Sequence, residues 1–344
     1  MHMADALLAP TVAATMCAAS AVTAGVSVYK LKQDDEAQKL PVMAVTSALV
    51  FAGQMINYTI PGTGSSGHMC GGMLLSALLG PQAGFLSMIV ILTIQCLFFA
   101  DGGLMALGAN CWNMAFYGCF VGYYLIWRPI QRGKSGLSAH TRIIIASILG
   151  CVVTLQLGAF SVALETTLSG ITELPFGAFV GLMQPIHLAI GLVEGAVTAA
   201  VLLFVYDSRP ALLRDVDAAA EGKRSLKTTV VILAAVVAVV GGGLSLLASS
   251  NPDGLEWALF GNEEAGYAAN MGLDEEHFGV ESAAADRAAA IQESTSFLPD
   301  YAFADNDSPA GTTVSGLVGS AMVAGVAVLI CFAGGFFRRK KQKV

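Results

Sequence analysis

Charge is what this chain has least of. Asp, Glu, Lys and Arg make up 12% of its 344 residues while hydrophobic residues make up 55%, about half the charged share of a soluble domain. That balance excludes an ordinary soluble fold. No CxxC pair occurs either. The cysteines at 17, 70, 96, 111, 119, 151 and 331 lie in or beside apolar runs, so they read as small buried hydrophobes rather than a disulfide framework or a zinc site. A complete phosphate-binding loop is also missing. Gly133, Lys134 and Ser135 reproduce the end of the Walker pattern, but Arg128 stands where its first glycine belongs. The chain is therefore not read as an enzyme, and no nucleic-acid partner is expected. The amino terminus lacks the basic region of a secretory signal, and its apolar run is longer than a signal's. This first segment is expected to stay in the mature protein.

What the chain does have is long apolar runs. Nine stand out, at about 6–29, 41–58, 68–80, 83–100, 104–127, 141–169, 176–206, 227–248 and 313–337. Runs of this length cross bilayers, and without period-two alternation they cross as helices rather than as a barrel. The expected fold is all-α and polytopic, surrounded by membrane lipid. The third run is too short to span if straight, and reads as a half-helix or a tightly packed buried segment.

The basic residues orient these segments. Lys30, Lys32 and Lys39 lie in one connection, and Arg128, Arg132, Lys134 and Arg142 in another. Arg209, Arg214, Lys223, Arg224 and Lys227 form a third group, and the tail from Arg338 to Lys343 a fourth. Nine alternating segments place all four groups on one side, which the positive-inside rule makes the cytoplasm. The amino terminus, the 59–67 loop and residues 249–312 then face outward, in a bacterial-type inner membrane with the carboxyl terminus cytoplasmic.

Net charge is −7, and 13 of the 25 acids fall within 253–307 with Arg287 as the only Arg or Lys there. Such a loop either concentrates cations by its field or is merely solvated. A polar linker at 207–226 divides the chain into seven segments over 1–206 and a two-segment module over 227–344 that brackets the outer loop 249–312.

On that outer face the chain opens Met1-His2. The Met1 amine and the His2 peptide nitrogen can close a five-membered ring on a metal, and the His2 peptide nitrogen and Nδ1 a six-membered one. Three roughly coplanar nitrogens suit Ni(II) or Cu(II) once a further donor joins. Taken alone, a histidine after a start codon reads as chance, since a two-residue motif recurs often. Five histidines exist. His140 lies at the cytoplasmic start of segment six, His277 in the acidic loop, and His187 within segment seven. His68 follows Pro61-Gly62-Thr63-Gly64-Ser65-Ser66-Gly67 on the same side as His2, where glycines permit close approach. It is the best partner on placement, and equally a helix-capping histidine on spacing alone.

A series of ordered motifs resembles one family. The opening Met1-His2-Met3-Ala4-Asp5-Ala6-Leu7-Leu8 is followed by Gly64-Ser65-Ser66-Gly67-His68-Met69-Cys70-Gly71-Gly72 and Leu79-Gly80-Pro81. Then come Phe99-Ala100-Asp101-Gly102-Gly103-Leu104 and Leu107-Gly108-Ala109-Asn110. Together they resemble CbiM/NikM, the substrate-capture subunits of nickel and cobalt energy-coupling-factor (ECF) transporters. Asn251-Pro252-Asp253-Gly254-Leu255-Glu256 resembles the Pro-Asp-Gly-Leu-Glu signature of the CbiN/NikN accessory partner. Met3-Ala4-Asp5 departs from the Ile-Met-Glu or Ile-Pro-Asp of other members, which bears on metal preference.

The resemblance implies that Met1, His2 and His68 hold Ni2+ or Co2+ as transported substrate, with no organic cofactor. It implies a coupling transmembrane (T) subunit and ATPase subunits as partners, and an accessory module that assists loading. A non-transporting metal sensor and an autonomous ion-coupled carrier are the alternatives. Binding is expected to weaken below about pH 6 as imidazoles take up protons. Asn110 and Asp101 are candidates for orienting ligands, Asp101 equally for capping a helix. His187 and Glu194 share one helix face, as a relay or as a structural pair, and neither is expected near enough to the outer mouth to touch the metal. Glycine pairs at 118/122, 177/181 and 191/195 allow close helix packing.

Overall fold

The computed structural model describes residues 1–31, 40–133, 136–171, 175–216, 222–267, 273, 278–303 and 308–341. Lys32, Lys39, Lys134, His277, linker residues 217–221 and tail residues 342–344 lie outside the described residues.

Apolar runs became helices in chain order. They are α1 (Pro10–Leu31), α2 (Leu40–Gln54), α3 (Gly72–Leu79), α4 (Pro81–Phe99), α6 (Ala139–Leu168), α7 (Phe176–Ser208), α8 (Leu226–Gly242) and α11 (Pro309–Lys341). Between α4 and α6 stands α5, which opens as Leu107–Asn110, continues with π-type geometry over Cys111–Trp127 and closes as Arg128–Arg132. The acidic stretch holds α9 (Gly254–Phe260) and α10 (Ala283–Thr295). A two-strand hairpin, β1 (Tyr58–Ile60) and β2 (Ser65–Gly67), pairs Tyr58 with Gly67 and Ile60 with Ser65.

The fold is all-α and polytopic, as its apolar runs predict. Six stretches are long and apolar enough to cross a bilayer: α1, α4, α6, α7, Leu226–Leu247 and Pro309–Ile330. The 15 residues of α2 reach about 22 Å, short of a roughly 30 Å hydrocarbon core. Segment five departs from a plain α-helix, since hydropathy does not distinguish i→i+4 from i→i+5 bonding. Its rare wide geometry begins directly after Asn110.

All eight residues of α3 are buried, which resolves the short third run as a packed internal helix. Its amino end is held from α7: Glu194 accepts from Cys70 N at 2.7 Å and Gly71 N at 2.9 Å. That carboxylate satisfies two amides that otherwise face the interior unpaired. Gly118 lets α5 lie against the α3 backbone, since a Cβ there would come 2.8 Å from Gly72 Cα. Gly191 and Gly195 do the same for α7 against α6, but Gly177 and Gly181 face open space.

The second module is not a loose appendage. α11 packs along α2 and α8, with Gly316 seated on the Gly241 backbone. Between these helices the acidic stretch returns across the hairpin end of the bundle. Ser66 N donates to Pro252 O at 2.8 Å, and Ser66 Oγ to Asn251 O at 2.8 Å. Asn262 Nδ2 donates to Gly64 O at 2.8 Å. From α10, Gln292 Nε2 donates to Gly102 O at 2.7 Å and Thr295 Oγ1 to Leu97 O at 2.7 Å. Where described, this stretch is folded cover over the end of the bundle that holds the amino terminus.

Candidate metal centre

The amino terminus is buried inside that cover. Met1, Met3, Leu7 and Leu8 are core residues, and a short 3-10 turn, Asp5–Leu7, leads into α1. Met3 fixes the path. Its N–H donates to Asn110 Oδ1 at 2.7 Å, while its carbonyl accepts from Asn110 Nδ2 at 3.1 Å and Gly103 N at 2.9 Å. Asp5 Oδ1 accepts from Ala106 N at 2.9 Å. Any Cβ on Gly103 would collide with Asp5, so glycine is needed there for close approach.

His68 arrives from the hairpin. Its Nδ1 lies 3.1 Å from Met69 O. A carbonyl only accepts, so Nδ1 carries a hydrogen, and in the neutral ring Nε2 holds the lone pair. That Nε2 lies 3.4 Å from the Met1 amine, and the His2 and His68 rings stack at 5.2 Å with 23° between planes. Met1, His2 and His68 are thus brought together. His2, however, is turned. Its Nδ1 lies 3.1 Å from Asp101 Oδ1 and its Nε2 3.4 Å from Gln95 Oε1. Tyr301 OH, from the acidic stretch, donates to Asp101 Oδ2 at 2.5 Å. Asp101 and Asn110 therefore both act on the opening tripeptide, one at the His2 ring and one at the Met3 peptide.

Asp253 is the residue that the sequence reading missed as a site member. It is the N-cap of α9, where Oδ1 accepts from Leu255 N at 2.8 Å and Glu256 N at 2.9 Å, and Glu256 Oε2 accepts from Asp253 N at 3.3 Å. This reciprocal box spends one oxygen. The other, Oδ2, accepts from the Met1 amine at 2.7 Å and lies 3.8 Å from His68 Nε2. The Asp-Gly-Leu-Glu spacing signals a cap; nothing local signals a contact spanning 252 residues.

Electrostatics follow from this packing. Burial works against charge on the Met1 ammonium, but the Asp253 carboxylate more than offsets it and holds the amine above its ordinary range. Burial would likewise raise Asp253, yet the ammonium and His68 bring it well below the usual carboxylate range. His2 is pushed down to about 4, first by burial and then by His68 and the amine, against the pull of Asp101. At neutral pH the His2 ring is therefore uncharged.

One histidine falls differently from its sequence reading. His187 lines the same narrow cavity as Met1, His68, Cys70 and Asp253. It is not remote from the mouth, because the hairpin and α3 carry His68 down into the bundle. Its Nδ1 lies 2.8 Å from Met183 O, and its Nε2 has no hydrogen-bond partner among the described residues. Glu194 on the same face is spent on α3. His140 stays apart, half-exposed, with Nε2 2.9 Å from Asp207 Oδ1. Among the described residues no group of three or more His, Cys, Asp or Glu side chains is spaced to hold a metal. A metal held at this place would need a donor besides those side chains, and the Met1 amine is the group that stands beside His68 Nε2.

Comparison with known proteins gives the family. The family described as the cobalt uptake substrate-specific transmembrane region matches residues 2–212, and the PDGLE domain matches 227–334. A putative fused nickel transport protein NikMN of Archaeoglobus fulgidus is 37% identical over 326 residues, covering 94% of this chain and 95% of that one. The fused nickel transport protein NikMN of Rhodobacter capsulatus is 33% identical over 341 residues, with 94% and 95% covered. A crystal structure of a truncated transition metal transporter aligns at TM-score 0.52 and 32% identity, covering 60% of this chain and 98% of that one. This chain belongs to the cobalt uptake substrate-specific transmembrane family, with a PDGLE domain following in the same polypeptide.

Proposed function

We infer that this protein captures Ni2+ or Co2+ and passes it across the membrane as the substrate-specific subunit of an ATP-driven importer of the ECF type. Residues 1–206 are the capture bundle, 207–226 the linker and 227–344 the accessory module. The metal's donors are the Met1 amine, the His2 peptide nitrogen and Nδ1, and His68 Nε2. The observation that carries this reading is the 3.4 Å approach of the Met1 amine to His68 Nε2 beneath stacked His2 and His68 rings. An amine, an amide and two imidazoles suit Ni(II) and Co(II), and do not suit the oxygen-preferring Mg2+ and Ca2+. The names of the relatives, nickel and cobalt transport proteins, support the same substrate.

The site faces the outside of a bacterial-type inner membrane and the carboxyl terminus faces the cytoplasm. ATP hydrolysis belongs to separate ATPase subunits joined through a coupling T subunit. A carrier running on a His187–Glu194 proton relay is disfavoured, because both Glu194 oxygens hold the start of α3. Vesicles carrying this chain alone, or this chain with an ATPase complex, decide the matter. Nickel uptake that needs ATP and the complex is the expected result. Gradient-driven uptake by the lone chain would establish the carrier, and binding without uptake in either setting the sensor.

A further inference from the structure

Three potential donors already converge in this conformation, and one comes from the PDGLE domain. Met1 N, His68 Nε2 and Asp253 Oδ2 are separated by 2.7, 3.4 and 3.8 Å. The centre of that triangle lies roughly 2.0 Å from each corner, a usual metal–nitrogen or metal–oxygen length. His2 is not yet part of it, since its Nδ1 faces Asp101 at 3.1 Å. Asp253 Oδ1 is committed to capping α9, which leaves Oδ2 directed at the amine.

We propose that Asp253 Oδ2 is a metal donor contributed by the PDGLE domain, forming with Met1 N and His68 Nε2 a transient loading site that hands the ion to the His2 chelate. The proposal rests on the function inferred above and gives the accessory module a chemical role in it. A carboxylate is a harder and weaker donor to Ni(II) than imidazole or amide nitrogen. A site with one oxygen among three donors therefore binds loosely enough to release. The Met1 ammonium gives its proton to water as the ion first binds. Rotation of the His2 ring away from Asp101 then brings in Nδ1, and the His2 peptide nitrogen joins as its N–H proton also passes to water. The ion then gains two nitrogens and gives up one oxygen, so the exchange runs toward the chelate. Asp253 is placed for the first step because the Ser66 contacts to Asn251 and Pro252 fix the turn that precedes it.

The test is stopped-flow binding of Ni(II) alone to the full chain with its amino terminus unextended. Wild type is compared with Asp253→Asn and Asp253→Ser, both of which keep a capping oxygen. Matching thermal midpoints show that the fold is retained. The expected result is loading slowed by about tenfold or more, the lower end of the loss usual for groups around a metal, with no loss of equilibrium affinity beyond about threefold. Loading at the wild-type rate overturns the proposal while leaving the capture function standing. Loss of equilibrium binding as complete as that of His68→Ala overturns it too, by making Asp253 a permanent ligand. Failure of the wild-type chain to bind Ni(II) at all removes the function itself, a different outcome from either.

Discussion

Asn110 grips the Met3 peptide from both sides, accepting its N–H at 2.7 Å and donating to its carbonyl at 3.1 Å. The two residues stand 107 positions apart, and this contact fixes where Met1 and His2 lie. Asn110→Ala leaves a buried N–H unpaired, a cost of about 1–3 kcal/mol. It should weaken Ni(II) binding by roughly tenfold, in line with outer-sphere positioning losses, with helical content unchanged. Calorimetric titration together with circular dichroism checks both halves, and unaltered affinity would remove Asn110 from the site's support.

Adding one residue before Met1 converts the amine into an amide, while His2→Ala removes the ring donor. Each should abolish tight Ni(II) binding and leave the fold intact. His68→Ala should weaken binding by at least tenfold, the scale of losing a group that holds or supports the metal. His140→Ala should change it little, because His140 pairs with Asp207 away from the site. An amino-terminally extended chain that binds as tightly as wild type would sink the chelate.

The pH dependence follows from which groups hold protons before binding. The amine is held above its ordinary range, so up to that raised pKa binding must displace its proton, and affinity rises with pH. The His2 ring is neutral down to about 4 and contributes no pH dependence near neutrality. The decline first expected below about pH 6, on the basis of free imidazoles, should instead appear as a climb that continues through pH 8. Asp253→Asn removes the charge that raises the amine and should move that climb to lower pH. Calorimetry between pH 6 and 9 reads both curves, and a plateau above pH 7 in the wild type would contradict the assignment.

The nine apolar runs and the helices correspond closely because hydropathy and helix length answer to the same bilayer. The runs at 141–169 and 176–206 became α6 (Ala139–Leu168) and α7 (Phe176–Ser208). His2 and His68 were legible because chelation at an amino terminus is local chemistry and the Gly-rich hairpin is a local signal. Asp253 was legible only as part of the Pro-Asp-Gly-Leu-Glu signature. Its contact with Met1 joins positions 252 apart in the chain, which no spacing rule encodes. The depth of His187 was hidden for a related reason. Apolar length gives each segment's span, but not how far a hairpin between two spans dips into the bundle.

Glu194 offers the sharpest separation of a structural from a transport role. Its oxygens accept from Cys70 N and Gly71 N, with Cys151 Sγ also near at 3.8 Å, and so hold both α3 and the strand end that carries His68. Glu194→Ala strands two buried amides and should cost about 2 kcal/mol or more, lowering the thermal midpoint and loosening His68. Glu194→Gln keeps one strong acceptor, so it should recover most of the stability and most of the Ni(II) affinity. A proton relay responds in the opposite way, because glutamine cannot titrate and would abolish transport as completely as alanine. ATP-dependent uptake by Glu194→Gln in vesicles with the full complex, set beside its melting curve, tells the two roles apart.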